Sequence, residues 1–203
     1  MAGIGVKLTN IYKKNTLTTD IIGMGYSTVV TIAPMLVVIG ALVLMEYFLD
    51  FSSVDYVTRE LFSCTVLYIF IFSLLTASPF NSVLSKYMSD VIYEETYEDI
   101  LPCYYVGMLL NILLSSVLGI VFCVHEVLVG KVDIIYVFTG YCGYIALVLV
   151  FYSMLYLSIC KDYKKISLFF GIGMTVTFIL SLVLVKICHW SITYGMLFSL
   201  TVG

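Results

Sequence analysis

Two prolines sit inside long apolar stretches, each beside hydroxyl and amide side chains. Tyr26, Ser27, Thr28 and Thr31 lead into Pro34, and Thr76, Ser78 and Asn81 surround Pro79. Proline removes a backbone donor and disrupts the local ladder, so a kink is expected at each. The polar neighbours either re-satisfy freed carbonyls or line a wet cavity. Broken helices with polar neighbours are what transporters place along a substrate path. The plainer alternative is close helix packing around small residues. Asn111 stands alone in a third apolar stretch. It reads either as an interhelical hydrogen bond or as a contact to a hydrophilic solute. The candidate path residues are therefore Ser27, Thr31, Pro34, Thr76, Ser78, Pro79, Asn81 and Asn111.

Other chemistries find little support. No Asp, Glu, Lys or Arg lies deep in an apolar stretch, so no proton relay or ion-coupling carboxylate is visible. The cysteines, Cys64, Cys103, Cys123, Cys142, Cys160 and Cys188, form no C-x-x-C pair, and His125 and His189 are not at ligand spacing with them. No metal site is expected. In apolar spans such cysteines act as small hydrophobes, although a Cys123–Cys188 pair is conceivable. There is no phosphate-binding loop, no paired-carboxylate or nucleophile triad and no basic domain. The chain is thus expected to be no enzyme, to need no cofactor and to bind no nucleic acid. Glu94, Glu95, Glu98 and Asp99 cluster on a short loop, where solvation or a partner contact is expected.

The elements that hold these residues follow from hydropathy. The composition is 62% hydrophobic and 11% charged, and mean hydropathy is +1.09, more apolar surface than one soluble core could hide. A helix of about 20 apolar residues crosses the ~30 Å hydrocarbon layer. The reading is an all-α polytopic transmembrane bundle with the bilayer as solvent. Its spans are expected near residues 21–49, 61–88, 101–124, 133–159 and 166–188. Residues 191–203 reach only ~20 Å, so this stretch is expected to be an incomplete sixth helix of a longer protein, the alternative being a short re-entrant or interfacial tail. Tyrosines 136, 141, 144, 152 and 156 recur along the fourth span. Those near its ends fit an interfacial belt, while deeper ones either pack or stack on a ligand.

Basic residues set the expected orientation. Lys7, Lys13, Lys14, Lys86, Lys161, Lys164 and Lys165 share one side, against Arg59, Lys131 and Lys186 on the other. The positive-inside rule then places the N-terminus in the cytoplasm. Residues 1–20 form a separate segment. Ile4, Leu8, Ile11 and Tyr12 recur at helical spacing with lysines off that stripe, which predicts either an interfacial amphipathic helix or a basic leader.

The opening Met1-Ala2-Gly3-Ile4-Gly5, followed by a short basic stretch, resembles the Pel exopolysaccharide transporter family (PelG), whose members open close to MAGIGFEL. Thr31-Ile32-Ala33-Pro34 is similar to that family's approach to a proline. The run from Ser73 to Phe80, then Ser85-Lys86-Tyr87-Met88-Ser89-Asp90, looks like its proline-containing stretch leading to a basic residue and an aspartate. An arginine is usual where Lys86 stands. Gly3, Gly5, Lys86 and Asp90 are the positions that carry the motif. Ile100-Leu101-Pro102 and Lys161-Asp162-Tyr163 also fit.

That resemblance implies kinship with the multidrug/oligosaccharidyl-lipid/polysaccharide flippase superfamily. It implies two lobes of about six helices with alternating access, this chain supplying the first lobe. It further implies residence in the bacterial cytoplasmic membrane and export of an exopolysaccharide chain. The implied setting is a polymer-secreting complex with a cytoplasmic glycosyltransferase and other membrane subunits, responsive to cyclic di-GMP through another subunit. Sugar hydroxyls would exchange water for neutral donors and acceptors. Two other functions remain open. One is a flippase for lipid-linked oligosaccharide or a cation-coupled small-solute transporter of the same architecture. The other is a membrane scaffold that anchors partner enzymes through its cytoplasmic loops.

Overall fold

The computed structural model describes residues 36–94, 100–159 and 163–203. The expected segment 1–20, Gly3, Gly5, Ser27, Thr31, Pro34 and most of the acidic loop lie outside the described residues.

The described residues form helices joined by short turns, with no strand among them. Helix α1 covers Leu36–Phe48. Asp50 then takes a left-handed conformation (φ 50°), and its carbonyl accepts bonds from the Ser53 backbone (2.8 Å) and the Ser53 hydroxyl (2.7 Å). This closes a single 3-10 turn at Phe51–Ser53. The Asp55 carboxylate accepts from the Val57 backbone at 3.2 Å and so caps α2, Tyr56–Tyr93. The cap explains why this helix begins before its apolar run, taking in Arg59 and Glu60. At 38 residues α2 is ~57 Å long, well beyond the hydrocarbon thickness, so it tilts or projects into the interface.

Helices α3 (Ile100–Leu128), α4 (Ile134–Ile159) and α5 (Tyr163–Leu182) follow. Helix α5 ends in a π-turn, Val183–Ile187, where the Cys188 amide reaches back to the Val183 carbonyl (3.1 Å). Helix α6 covers Ile192–Val202. The α2, α3 and α4 helices and the Ile166–Ile187 segment are each long and apolar enough to cross a bilayer.

Helix α4 is central and packs against α2, α3, α5 and α6. Met45, Phe62, Ile69, Tyr144, Val148 and Met196 share the main buried cluster, and Leu84, Met88 and Tyr152 a second one nearer the other end. The outer surface along the spans is mainly apolar: on α3, Leu110, Leu113, Val117 and Val121 are all exposed, while Asn111, Ser115 and Gly119 are buried. Such an inverted helix is stable only where the surrounding solvent is itself apolar. The molecule is an all-α membrane bundle.

Candidate functional site in the α2–α3–α4 bundle

A groove of about 830 Å³ lies between α2, α3 and α4. Its walls are aromatic and aliphatic, with Tyr68, Phe72, Leu118 and Tyr141 among them. Polar groups stand at its ends. At one end the His125 Nδ1 and Glu126 Oε1 atoms are 3.4 Å apart. At the other are Thr76 and Pro79.

Thr76 ties two helices together. Its hydroxyl donates to the Phe72 carbonyl at 2.8 Å, and the Tyr144 hydroxyl lies 2.8 Å from the Thr76 Oγ1 itself. A threonine has one proton to give, so Tyr144 is the donor in that pair. Tyr136 also lines the groove, with its hydroxyl sealed from solvent on the side of Thr65.

Beyond this floor lies a layer of amides. Gly107, Asn111, Ser115 and Gly119 follow one another at four-residue spacing on α3. A Cβ at Gly119 would come within 2.7 Å of the Tyr141 ring and 3.2 Å of Tyr144, and one at Gly107 would strike the Tyr152 hydroxyl. The stripe therefore faces α4, with small residues making room for tyrosine rings. Asn111 falls between the Tyr144 and Tyr152 contacts. On α2, Thr76 meets Tyr144 while Leu84 and Met88 meet Tyr152, so Asn81 falls in the same layer. Asn111 is fully buried, and among the described residues neither its Oδ1 nor its Nδ2 has a hydrogen-bond partner; Asn81 Oδ1 is likewise sealed and without a partner there. The Tyr152 hydroxyl donates to the Tyr104 carbonyl (3.1 Å), and Tyr104 pairs with Ser153 (2.8 Å), closing the layer at that end.

A bundle with neutral polar groups inside and apolar side chains outside suits passage of a hydrophilic, uncharged solute. The family model PelG, described as "Putative exopolysaccharide Exporter (EPS-E)", matches residues 1–203. The chain belongs to the PelG family. No curated protein and no solved structure matches it. The family is described as one of exopolysaccharide exporters, which agrees with a membrane bundle that has neutral polar groups inside.

In this PelG-family chain the sequence-derived residues separate into groups. Thr76 and Pro79 line the groove, and Asn81 and Asn111 share the amide layer beyond it. Ser78 is exposed, its carbonyl accepting from the Ser82 hydroxyl at 3.1 Å. Lys86 and Asp90 are exposed toward the far end of α2 and make no ion pair among the described residues. Helix α2 runs unbroken through Pro79. The interhelical bond expected of Asn111 is not formed among the described residues; Thr76, with Tyr144, makes such a bond instead. Cys123 and Cys188 are free thiols. Among the described residues no His, Cys, Asp and Glu cluster could hold a metal ion.

The tyrosines were visible in the sequence but unsorted by role. Tyr136, Tyr141 and Tyr144 border the groove, and Tyr152 is core. The four-residue alternation of small residues on α3 was the signal that separates them.

Proposed function

We propose that this chain is the membrane-embedded lobe of an exopolysaccharide exporter in the bacterial cytoplasmic membrane, with its N-terminus inside. It works by alternating access against a second lobe of flippase type, beside a cytoplasmic glycosyltransferase that feeds it polymer. The observation that carries this reading is the Asn81–Asn111 layer. An unpaired buried amide group costs about 1–3 kcal/mol, so such a group in a native chain calls for an explanation, and use in another state of the transporter supplies one. Parting α2 and α3 from α4 would uncover both amides to sugar hydroxyls, which offer the donors and acceptors that the closed bundle lacks. No charge is needed on such a path.

The test is the double substitution Asn81→Leu/Asn111→Leu in the full-length natural protein within a polymer-secreting cell. Secreted polymer is expected to fall at least tenfold, while the protein keeps its membrane abundance and gains thermal stability. Undiminished secretion at wild-type abundance would remove the amide layer from the mechanism.

One observation favours a second reading. The groove has apolar walls and polar ends, as would suit the lipid tail of a lipid-linked oligosaccharide whose headgroup rests on the polar mouth.

A further inference from the structure

We propose that the pocket formed by the end of α1, the Phe51–Ser53 turn and the start of α2 is a saccharide-binding subsite, a resting place for the polymer at the far side of the membrane; this rests on the export reading. The pocket is an open hollow of about 660 Å³ lined by Glu46, Tyr47, Asp50, Ser52 and Arg59, with Phe51 among its apolar members. Volumes of this order hold small ligands.

Its groups are built to face a gap. Glu46 and Asp50 are four residues apart and both exposed. The left-handed turn at Asp50 engages its backbone carbonyl with Ser53 and leaves its carboxylate without a capping bond. Phe51 is buried and meets Phe62 edge-on at 5.5 Å, which anchors the turn. Arg59, which reaches the pocket from the first turns of α2, is half-buried, its guanidinium 5.9 Å from the Tyr56 ring centroid. Among the described residues it pairs with no carboxylate, although two line the same pocket. Opposite charges thus border one cavity without closing on each other. Tyr47 stands beside them 78% exposed, braced by Phe48, which itself meets Phe178 at 5.6 Å.

This set matches a pyranose. Carboxylates accept paired hydroxyl protons, a guanidinium donates to ring and hydroxyl oxygens, and an exposed aromatic ring covers the apolar C–H face. A phospholipid phosphate fits less well, because two carboxylates outweigh the single cation already placed over Tyr56.

The test uses the full-length natural protein in nanodiscs, with cellotetraose and the tetramer of N-acetylglucosamine as ligands. Saturation-transfer NMR is expected to show transfer to the ring C–H protons of at least one tetrasaccharide. Transfer should drop at least fivefold in Tyr47→Ala and in Glu46→Gln/Asp50→Asn. These side chains are exposed, so an unchanged thermal midpoint confirms folding, and Asn tolerates the left-handed backbone at position 50. Tyr93→Ala, at the exposed opposite end of α2, should keep the signal. No transfer from either sugar, or equal transfer in all variants, overturns the subsite. Displacement of the sugar by equimolar dihexanoyl-phosphatidylethanolamine would make it a headgroup site and overturn it as well. Secretion that depends on the amide layer with no sugar transfer sinks the pocket alone. Sugar transfer with secretion independent of the protein sinks the export reading alone.

Discussion

A hydroxyl in hydrocarbon has no water to fall back on, so its partners decide its cost. Most hydroxyls here bond within their own helix: Thr177 to the Gly173 carbonyl at 3.0 Å, Ser181 to Phe178 at 2.8 Å, Ser199 to Met196 at 2.8 Å. Those bonds satisfy the side chain and link nothing. Thr76 differs, because after donating to Phe72 it still accepts from Tyr144 on another helix. Thr76→Val and Tyr144→Phe should therefore each lower stability by about 1 kcal/mol, a fall of roughly 2–4 °C in the detergent melting midpoint for a chain of this size. The double variant should lose no more than either single one, since the second change removes a group already orphaned. Additive losses would show that the two hydroxyls are not coupled. Asn111 has the opposite sign: with no bond to lose, its replacement by leucine relieves a penalty. The contrast separates a residue kept for cohesion from one kept for use.

At the scale of the helix, the deciding feature is which face points inward, and hydrophobicity does not report it. Lipid tails are as apolar as a protein core, so leucine gains little by facing either way. The run lengths made the transmembrane helices legible in the sequence, since Leu, Val and Ile fill stretches long enough to cross. The inward faces were legible only through small and polar residues, as with Gly107, Asn111, Ser115 and Gly119 on α3. Other features were hidden because they depend on neighbours. The Asp55 cap extends α2 past its apolar run, the π-turn at Val183–Ile187 has no sequence signature, and α2 runs on through Pro79 within a helix packed along α4. Helix α4 also offers a way to separate the two transport readings. Gly140 lines the groove, and a Cβ there would make ordinary contacts, 3.7 Å to Thr65 and 3.8 Å to Ile69. Gly140→Phe should thus be accommodated by filling the groove. If the groove serves only the packed state, polymer secretion should stay within twofold of wild type. If it holds a lipid tail, transport of the lipid-linked substrate should fall at least tenfold at equal abundance.

For the molecule as a whole, the turns α1–α2, α3–α4 and α5–α6 gather at one end. Tyr194 donates to Asp133 at 2.6 Å, and the Tyr136 and Tyr194 rings meet at 5.3 Å, which joins the last two of these turns directly. Asp50, Lys131 and His189, the non-glycine residues with left-handed backbone among those described, fall one in each turn. This end carries Arg59, Lys131 and Lys186, whereas the chain's other seven basic residues belong to the opposite side or to the N-terminal segment. In the orientation proposed above, with the N-terminus inside, the turn end would face outward, and the pocket of Glu46, Asp50 and Arg59 would open where exported polymer emerges. Cys188 reports on this directly, being an exposed free thiol at the π-turn beside Trp190. In a variant that keeps Cys188 as its single cysteine, a membrane-impermeant maleimide should label intact spheroplasts as fully as ruptured ones. Labelling that appears only after rupture would turn the molecule over, place the pocket on the cytoplasmic side and make it a site of polymer entry.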